Sequence, residues 1–238
     1  PASMNLTIKP ASACGDCNLC SRCEPRAPGD GIDIDAVVDE VLRQIRPPAS
    51  TEVPIGVSAR HCHLTDEGLE TLFGKGARLK VYRDLYQPGA FAAEEVVSVV
   101  GPRLRAIERV RVLGPTRGYN QVELARTDAI YLGLDPPIRD SGDLDGAQPI
   151  TFIGPEGSFT TDCAIRATRH IHLNLEDVRR IGLTGIDRVS VRIRGEKGLV
   201  FHNVRLKIAP GQVPEIHLDT DDANAAAVAC GDHALIEV

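Results

Sequence analysis

The sequence predicts a mainly β chain with short helices, built as barrels or sandwiches in two related halves and not as a doubly wound sheet. Three observations predict it. From residue 52 to 238 the chain is a series of short β-branched runs separated by turns, among them "VPIGVSA", "EEVVSVVG", "RVSVRIRG" and "LVFHNVRLKI". Alternation in "IERVRVLG" and "VSVRIRG" marks strands with one buried face. Finally, "SARHCHLTDEGLETLFG", starting at Ser58, returns as "ATRHIHLNLEDVRRIGL", starting at Ala167, a duplication that implies pseudo-twofold symmetry.

Composition narrows the class. The chain is 42% hydrophobic but only 4% aromatic and has no tryptophan, so its cores must come from Val, Ile, Leu and Ala. A formal net charge of −6 opposes broad nucleic-acid binding and leaves room for a local basic cleft. No stretch approaches the roughly 18 apolar residues of a membrane span, and the N-terminus lacks the pattern of a secretory signal. Seven cysteines, an odd number, indicate a reducing compartment and not a disulfide framework.

Taken in order, the elements begin with an extension over 1–51. "CGDCNLCSRC" is followed by "EPRAPGDG", which is loop chemistry. In "DIDAVVDEVLRQI" the residues Ile34, Val37, Val38, Val41, Leu42 and Ile45 form one helical stripe, with Asp33 as N-cap and Pro47-Pro48 as the stop. Such a short helix needs a surface, either its own domain or a docking partner. The strand runs then follow, with short helices predicted at "TDEGLETLFG" and "NLEDVRRIG".

The repeat carries Arg-His-x-His-Leu twice. Residues two apart on a strand point to one side, so His61 converges with His63 and His170 with His172. Neutral imidazoles suit zinc and other borderline metals. Further donors are available in His217 of "PEIHLD" and Glu123 of "QVELAR", where an unpaired buried carboxylate would be costly. His202 and His233 read as structural. "HCHLTDEGLETLFG" also fits the first cupin motif, but Glu67 and Glu176 are explained as first-turn acids after the N-caps Thr65 and Asn174, and a second cupin motif is missing.

An anion site is suggested by Arg117 in a Gly-Pro turn six residues before Glu123, since a guanidinium fork holds two phosphate or carboxylate oxygens at once. "PPIRDSGDLDG" adds Arg139 and Ser141, and "KVYRDLYQPGAFAAEE" places Lys80 and Arg83 near a Gln87-Pro88-Gly89 turn.

Together "VPIGVSARHCHL", "YQPGAFAAEE", "VLGPTRGYNQVELARTDA", "PIRDSGDLDG" and "RHIHL" resemble the PduL-type phosphate propanoyltransferases, the phosphotransacylases of bacterial microcompartments, over roughly residues 52–238. The resemblance implies two β-barrels with helical caps, one of them discontinuous. It divides the chain into the extension 1–51, a first strand 52–59 completing the C-terminal barrel, a barrel over 60–167 and the C-terminal barrel over 168–238. It implies two zinc ions, one on His61, His63 and Glu123, the other on His170, His172 and His217. Arg117 and Ser141 would bind phosphate, Arg117 as the catalytic cation, and Ser58 and Asn224 would lie along the coenzyme A path. The implied reaction exchanges coenzyme A for phosphate on a short acyl group, propionyl or acetyl, by direct attack of bound phosphate.

The stripe at 34–45 resembles the encapsulation helices of that family. This implies docking to microcompartment shell or core proteins, residence in the microcompartment lumen, a place in propanediol degradation, and a possible homo-oligomer. Cys14, Cys17, Cys20 and Cys23 have no counterpart in the resemblance, and their spacing crowds a single tetrahedral ion, which favours no functional cluster there. Two other readings share these residues: a dinuclear zinc hydrolase of a phosphoester or amide, and a zinc-stabilised scaffold without catalysis.

Overall fold

The structure, a computed structural model, describes residues 51–237 together with Ile34, Val37 and Val38. Those three are helical and exposed; the other stripe positions and the cysteines at 14–23 lie outside the described residues. Among the described residues, no helix is long and apolar enough to cross a membrane.

Two six-stranded barrels make up the body. The first contains β2 (His61–His63), β4 (Phe91–Val100), β5 (Ala106–Gly114), β6 (Gln121–Glu123), β8 (Gln148–Ile153) and β9 (Ser158–Ala167). Around the ring they run β2-β5-β4-β8-β9-β6, with β3 (Val81–Asp84) added to β4 and β7 (Ile138–Arg139) to β9. The second contains β1 (Glu52–Ser58), β10 (His170–Leu173), β11 (Arg188–Ile193), β12 (Leu199–Ile208), β13 (Glu215–Asp219) and β14 (His233–Glu237), in the ring order β10-β12-β11-β14-β1-β13.

These rings match strand for strand and direction for direction. β2 runs parallel to β5 and antiparallel to β6, as β10 does to β12 and β13. β6 runs parallel to β9, as β13 does to β1. The predicted duplication is therefore a real pseudo-twofold, with one topological feature the repeat alone does not state. β1 leads directly into β2 yet closes the second barrel, while β9 leads into β10 yet closes the first. Each repeat lends its opening strand to the other barrel.

Cores follow from alternation. Cys62 and Leu64 point into the first core with Leu72, Val112 and Phe152; Ile171 and Leu173 point into the second with Ile55, Val191 and Ile216. Four short helices cap the barrels. The two predicted ones form as α1 (Asp66–Phe73) and α3 (Leu175–Ile181), whose caps Thr65 and Asn174 accept from the amides of Gly68 and Asp177. Glu67 and Glu176 lie in those first turns, which agrees with rejecting the cupin motif. Two more, α2 (Arg126–Leu132) and α4 (Thr220–Ala226), were not expected, because seven residues make only about two turns and give no clear apolar period. Asp219 caps α4, but Ala125 cannot cap α2. Instead the Thr127 amide donates to Asp221 of α4 at 2.8 Å, so the second barrel satisfies an end group of the first.

Candidate active site

Every residue of Arg-His-x-His-Leu has a physical task. The middle residue and the leucine are core, so the two histidines face outward from each barrel. The arginines stand at the crossovers from β1 to β2 and from β9 to β10. Arg60 pairs with Asp128 of α2 at 3.1 Å, and Arg169 pairs with Asp222 of α4 at 2.6 Å. They fix the crossovers to the capping helices, so the arginine of the repeat is an anchor. The strand exchange brings both crossovers between the barrels. One cleft there is lined from both sides by Ser58, His61, Glu123, Thr168, His170 and His217.

Register completes two donor groups. His61 lies opposite Glu123, and His170 opposite His217. In the group of His61, His63 and Glu123, and likewise in that of His170, His172 and His217, the potential ligand atoms lie within 4.8 Å of one another. Backbone carbonyls orient three of the rings: His61 Nδ1 donates to Ala59 at 2.8 Å, His170 Nδ1 to Thr168 at 2.8 Å, and His63 Nδ1 to Leu113 at 3.2 Å. That tautomer leaves Nε2 free as a donor of its lone pair. His172 Nδ1 and Gln212 Oε1 are both buried without a hydrogen bond, close enough that a small rotation would give His172 the same support. His217 spends both nitrogens, on Ser58 Oγ at 3.2 Å and on Glu215 Oε2 at 2.8 Å, so it must exchange one of them to ligate an ion.

The electrostatics keep several of these side chains in the form that can ligate a metal. Burial, then the neighbouring His61 and Arg117, lower His63 to about 3. Burial and His217 lower His172 to about 4, and burial with Lys207 holds His170 well below its ordinary value. These imidazoles are neutral near pH 7. Burial alone would raise the Glu123 carboxyl, but His61, His63, Ser141 and Lys207 outweigh it and hold it low. Two imidazoles with a carboxylate, and three imidazoles, are donor sets that fit zinc.

Beside the first group stands Arg117. Arg117 Nη1 donates to Tyr119 Oη at 2.9 Å and to Ser141 Oγ at 3.0 Å. Gln121 Nε2 donates to the same Ser141 oxygen at 2.9 Å and to Glu123 Oε1 at 2.6 Å, and its carbonyl accepts from the Gly142 amide. One polar chain thus runs from the guanidinium to the buried carboxylate.

The expected residues are not all alike in placement. Arg117, Ser141, Ser58, Glu123 and the histidines of both groups converge. Asn224 is exposed on α4, where its carbonyl accepts from Lys197. Arg139 is engaged by Asp143 and Asp145 of its own loop, and Lys80 and Arg83 are exposed. His202 and His233 are exposed and belong to neither donor group. Gln87 crosses to the second barrel, donating to Val213 O at 2.9 Å and Glu215 Oε2 at 3.2 Å. Cys62 lies in the core, where burial pushes its thiol well above the ordinary range; it points away from the cleft. Sequence reasoning missed Gln121, Tyr119 and Glu215, because nothing local marks a polar residue that acts by supporting another.

Comparison with known proteins supports one family. The family model for phosphate propanoyltransferase matches residues 54–229. A phosphate propanoyltransferase from Lachnoclostridium phytofermentans is 49% identical over 181 residues, covering 75% of this chain and 84% of that protein. One from Thermotoga maritima is 48% identical over 180 residues, covering 75% and 85%. One from Rhodopseudomonas palustris is 40% identical over 206 residues, covering 81% and 91%. The match spans both barrels, the two donor groups and the Arg117 chain, and the protein belongs to the phosphate propanoyltransferase family, a family of acyltransferases.

Proposed function

We propose that the protein converts propionyl-CoA and phosphate into propionyl phosphate and coenzyme A, reversibly, with acetyl-CoA as an alternative substrate. The observation that carries this is the polar chain Arg117–Ser141–Gln121–Glu123, which joins a phosphate-type fork to a metal-type donor group. Arg117 and Ser141 bind phosphate, and Arg117 neutralises charge as the oxygen approaches the thioester carbonyl. That oxygen forms the new C–O bond, the C–S bond breaks, and the phosphate proton ends on the coenzyme A thiol. Ser58, on the cleft wall, and Asn224 lie along the coenzyme A path. No side-chain nucleophile is needed, and the buried Cys62 does not supply one.

His61, His63 and Glu123 would hold one zinc, and His170, His172 and His217 another. When bound, zinc supplies Lewis-acid polarisation of a carbonyl or phosphoryl oxygen. Metal analysis of purified protein beginning at residue 48 should find about two transition-metal ions per chain; active protein without tightly held metal would refute the ligand assignment. The N-terminal stripe, of which Ile34, Val37 and Val38 are exposed, is read as the helix that docks the enzyme to microcompartment shell or core proteins. The microcompartment lumen is then its location.

The deciding assay is thiol release from propionyl-CoA with and without phosphate. Phosphate-dependent release is expected. Phosphate-independent release would favour the hydrolase, and no release the scaffold.

A further inference from the structure

Pseudo-symmetry makes the differences between the barrels informative. Lys207 on β12 lies opposite His172 in register, while Leu113, at the matching place in the first barrel, offers only its carbonyl to His63. Along β12 the core takes Val204 and Leu206, so Arg205 and Lys207 share the outward face with His170 and His172. Arg205 is occupied by an ion pair to Asp140, the residue before Ser141. Lys207 is not: among the described residues its half-buried ammonium makes no hydrogen bond or salt bridge. It stands close enough to Glu123, Asp140, Arg205 and Arg117 to respond to each of their charges, and close enough to bear on both His170 and His172.

A half-buried, unpaired ammonium costs stability, and such a cost persists where a ligand will compensate it. Burial depresses the Lys207 ammonium below the ordinary lysine range, and the carboxylates of Glu123 and Asp140 pull it back. Asp140, paired with Arg205 through Oδ2, leaves its Oδ1 buried without a hydrogen-bond partner. Arg117 and Lys207 therefore belong to different barrels yet stand within electrostatic reach of each other and of Glu123.

We propose that Lys207 is a phosphate-binding residue, the second cation of a clamp whose other member is Arg117. The proposal rests on the phosphate acyltransferase reading above. Neither barrel binds the anion alone, which gives the exchange of opening strands a functional consequence: it holds the clamp's two sides together.

Lys207→Gln and Lys207→Arg test this against wild type, with zinc content measured in each. At saturating propionyl-CoA, Lys207→Gln should raise the KM for phosphate by about ten- to a hundredfold, the loss expected for a charged hydrogen bond. The KM for propionyl-CoA should stay within about twofold. Calorimetric binding of inorganic phosphate, measured without acyl-CoA, should weaken in parallel, and Lys207→Arg should restore most of it. Because an uncompensated charge is removed, Lys207→Gln should melt at or above the wild-type Tm. An unchanged phosphate KM and affinity would overturn the proposal. So would a change confined to the KM for propionyl-CoA, which would place Lys207 on the coenzyme A phosphates. A lower Tm with equal loss in Lys207→Arg would mark a structural residue, also against it. If wild type releases thiol without phosphate, it is the acyltransferase reading that fails.

Discussion

Glu123 and His217 hold matching positions opposite the first histidine of each pair, and the difference between them shows how single residues set this site. A carboxylate in one group and an imidazole in the other make the first a more negative cage, beside which Arg117 sits without net repulsion. Arg117→Ala should lower turnover by about ten- to a hundredfold, or more if the contact tightens in the transition state, with metal content and fold retained. Steady-state kinetics with varied phosphate checks this, and unchanged phosphate kinetics would remove Arg117 from the site. The histidines make a second prediction. His63 and His172 fall to about 3 and about 4 in the folded protein, against an ordinary 6.5. As pH falls below 6.5 the unfolded chain takes up protons that the folded metal-free protein refuses, so stability is complete above that value and is lost progressively below it. Each such proton is worth about 1.4 kcal/mol per pH unit. Urea midpoints of the metal-free protein should therefore fall steadily between pH 7 and pH 5; a flat profile would contradict neutral, desolvated imidazoles.

At the scale of elements, the short helices do more than cover barrel ends. α2 and α4 receive the crossover arginines through Asp128 and Asp222, so each histidine strand is tied to a cap of its own barrel. α1 is tied differently, by close approach. A Cβ at Gly154, just after β8, would lie 2.4 Å from the Leu72 carbonyl oxygen and 2.7 Å from the Leu72 Cβ in the last turn of α1. Backbone cannot yield as a flexible side chain can. Gly154→Ala should cost about 1–3 kcal/mol, read as a lower denaturant midpoint. Residual metal binding by the folded fraction should be unaffected, since the donors lie on other elements.

At the scale of the whole molecule, the exchanged strands make the two barrels interdependent. β1 pairs on one side with β13, which carries His217, and on the other with β14. Protein starting at residue 60 lacks β1, leaving two open edges in the second barrel, one of them on the His217 strand, which keeps β10 as its single neighbour. It should lose its cooperative melt by circular dichroism and its second metal. Protein starting at residue 48 keeps β1 and should retain both the melt and the catalysis, and under the docking proposal made above it should lose only recruitment to a microcompartment. If the shorter protein were as stable as the longer, the exchanged strand would have no part in holding the site.

Much of this was legible in the chain. Alternation marked most strands, the repeat marked the pseudo-twofold and both His-x-His pairs, and N-caps marked α1 and α3, because each signal lies within a few residues. The donors Glu123 and His217 could be nominated, since a buried carboxylate and a strand histidine need a partner. What the chain could not express locally was decided by tertiary structure. Arg60 and Arg169 pair with helix carboxylates 68 and 53 residues away, which no local pattern announces. Lys207 looks like any outward lysine on a half-exposed strand, and only the tertiary structure brings it within electrostatic reach of Arg117 and Glu123. Residue type and spacing determine which side chains share a face. Whether that face meets water or another barrel depends on strand pairings between β1 and β13 or β6 and β9, which join residues far apart in the chain through backbone hydrogen bonds that no side-chain pattern encodes.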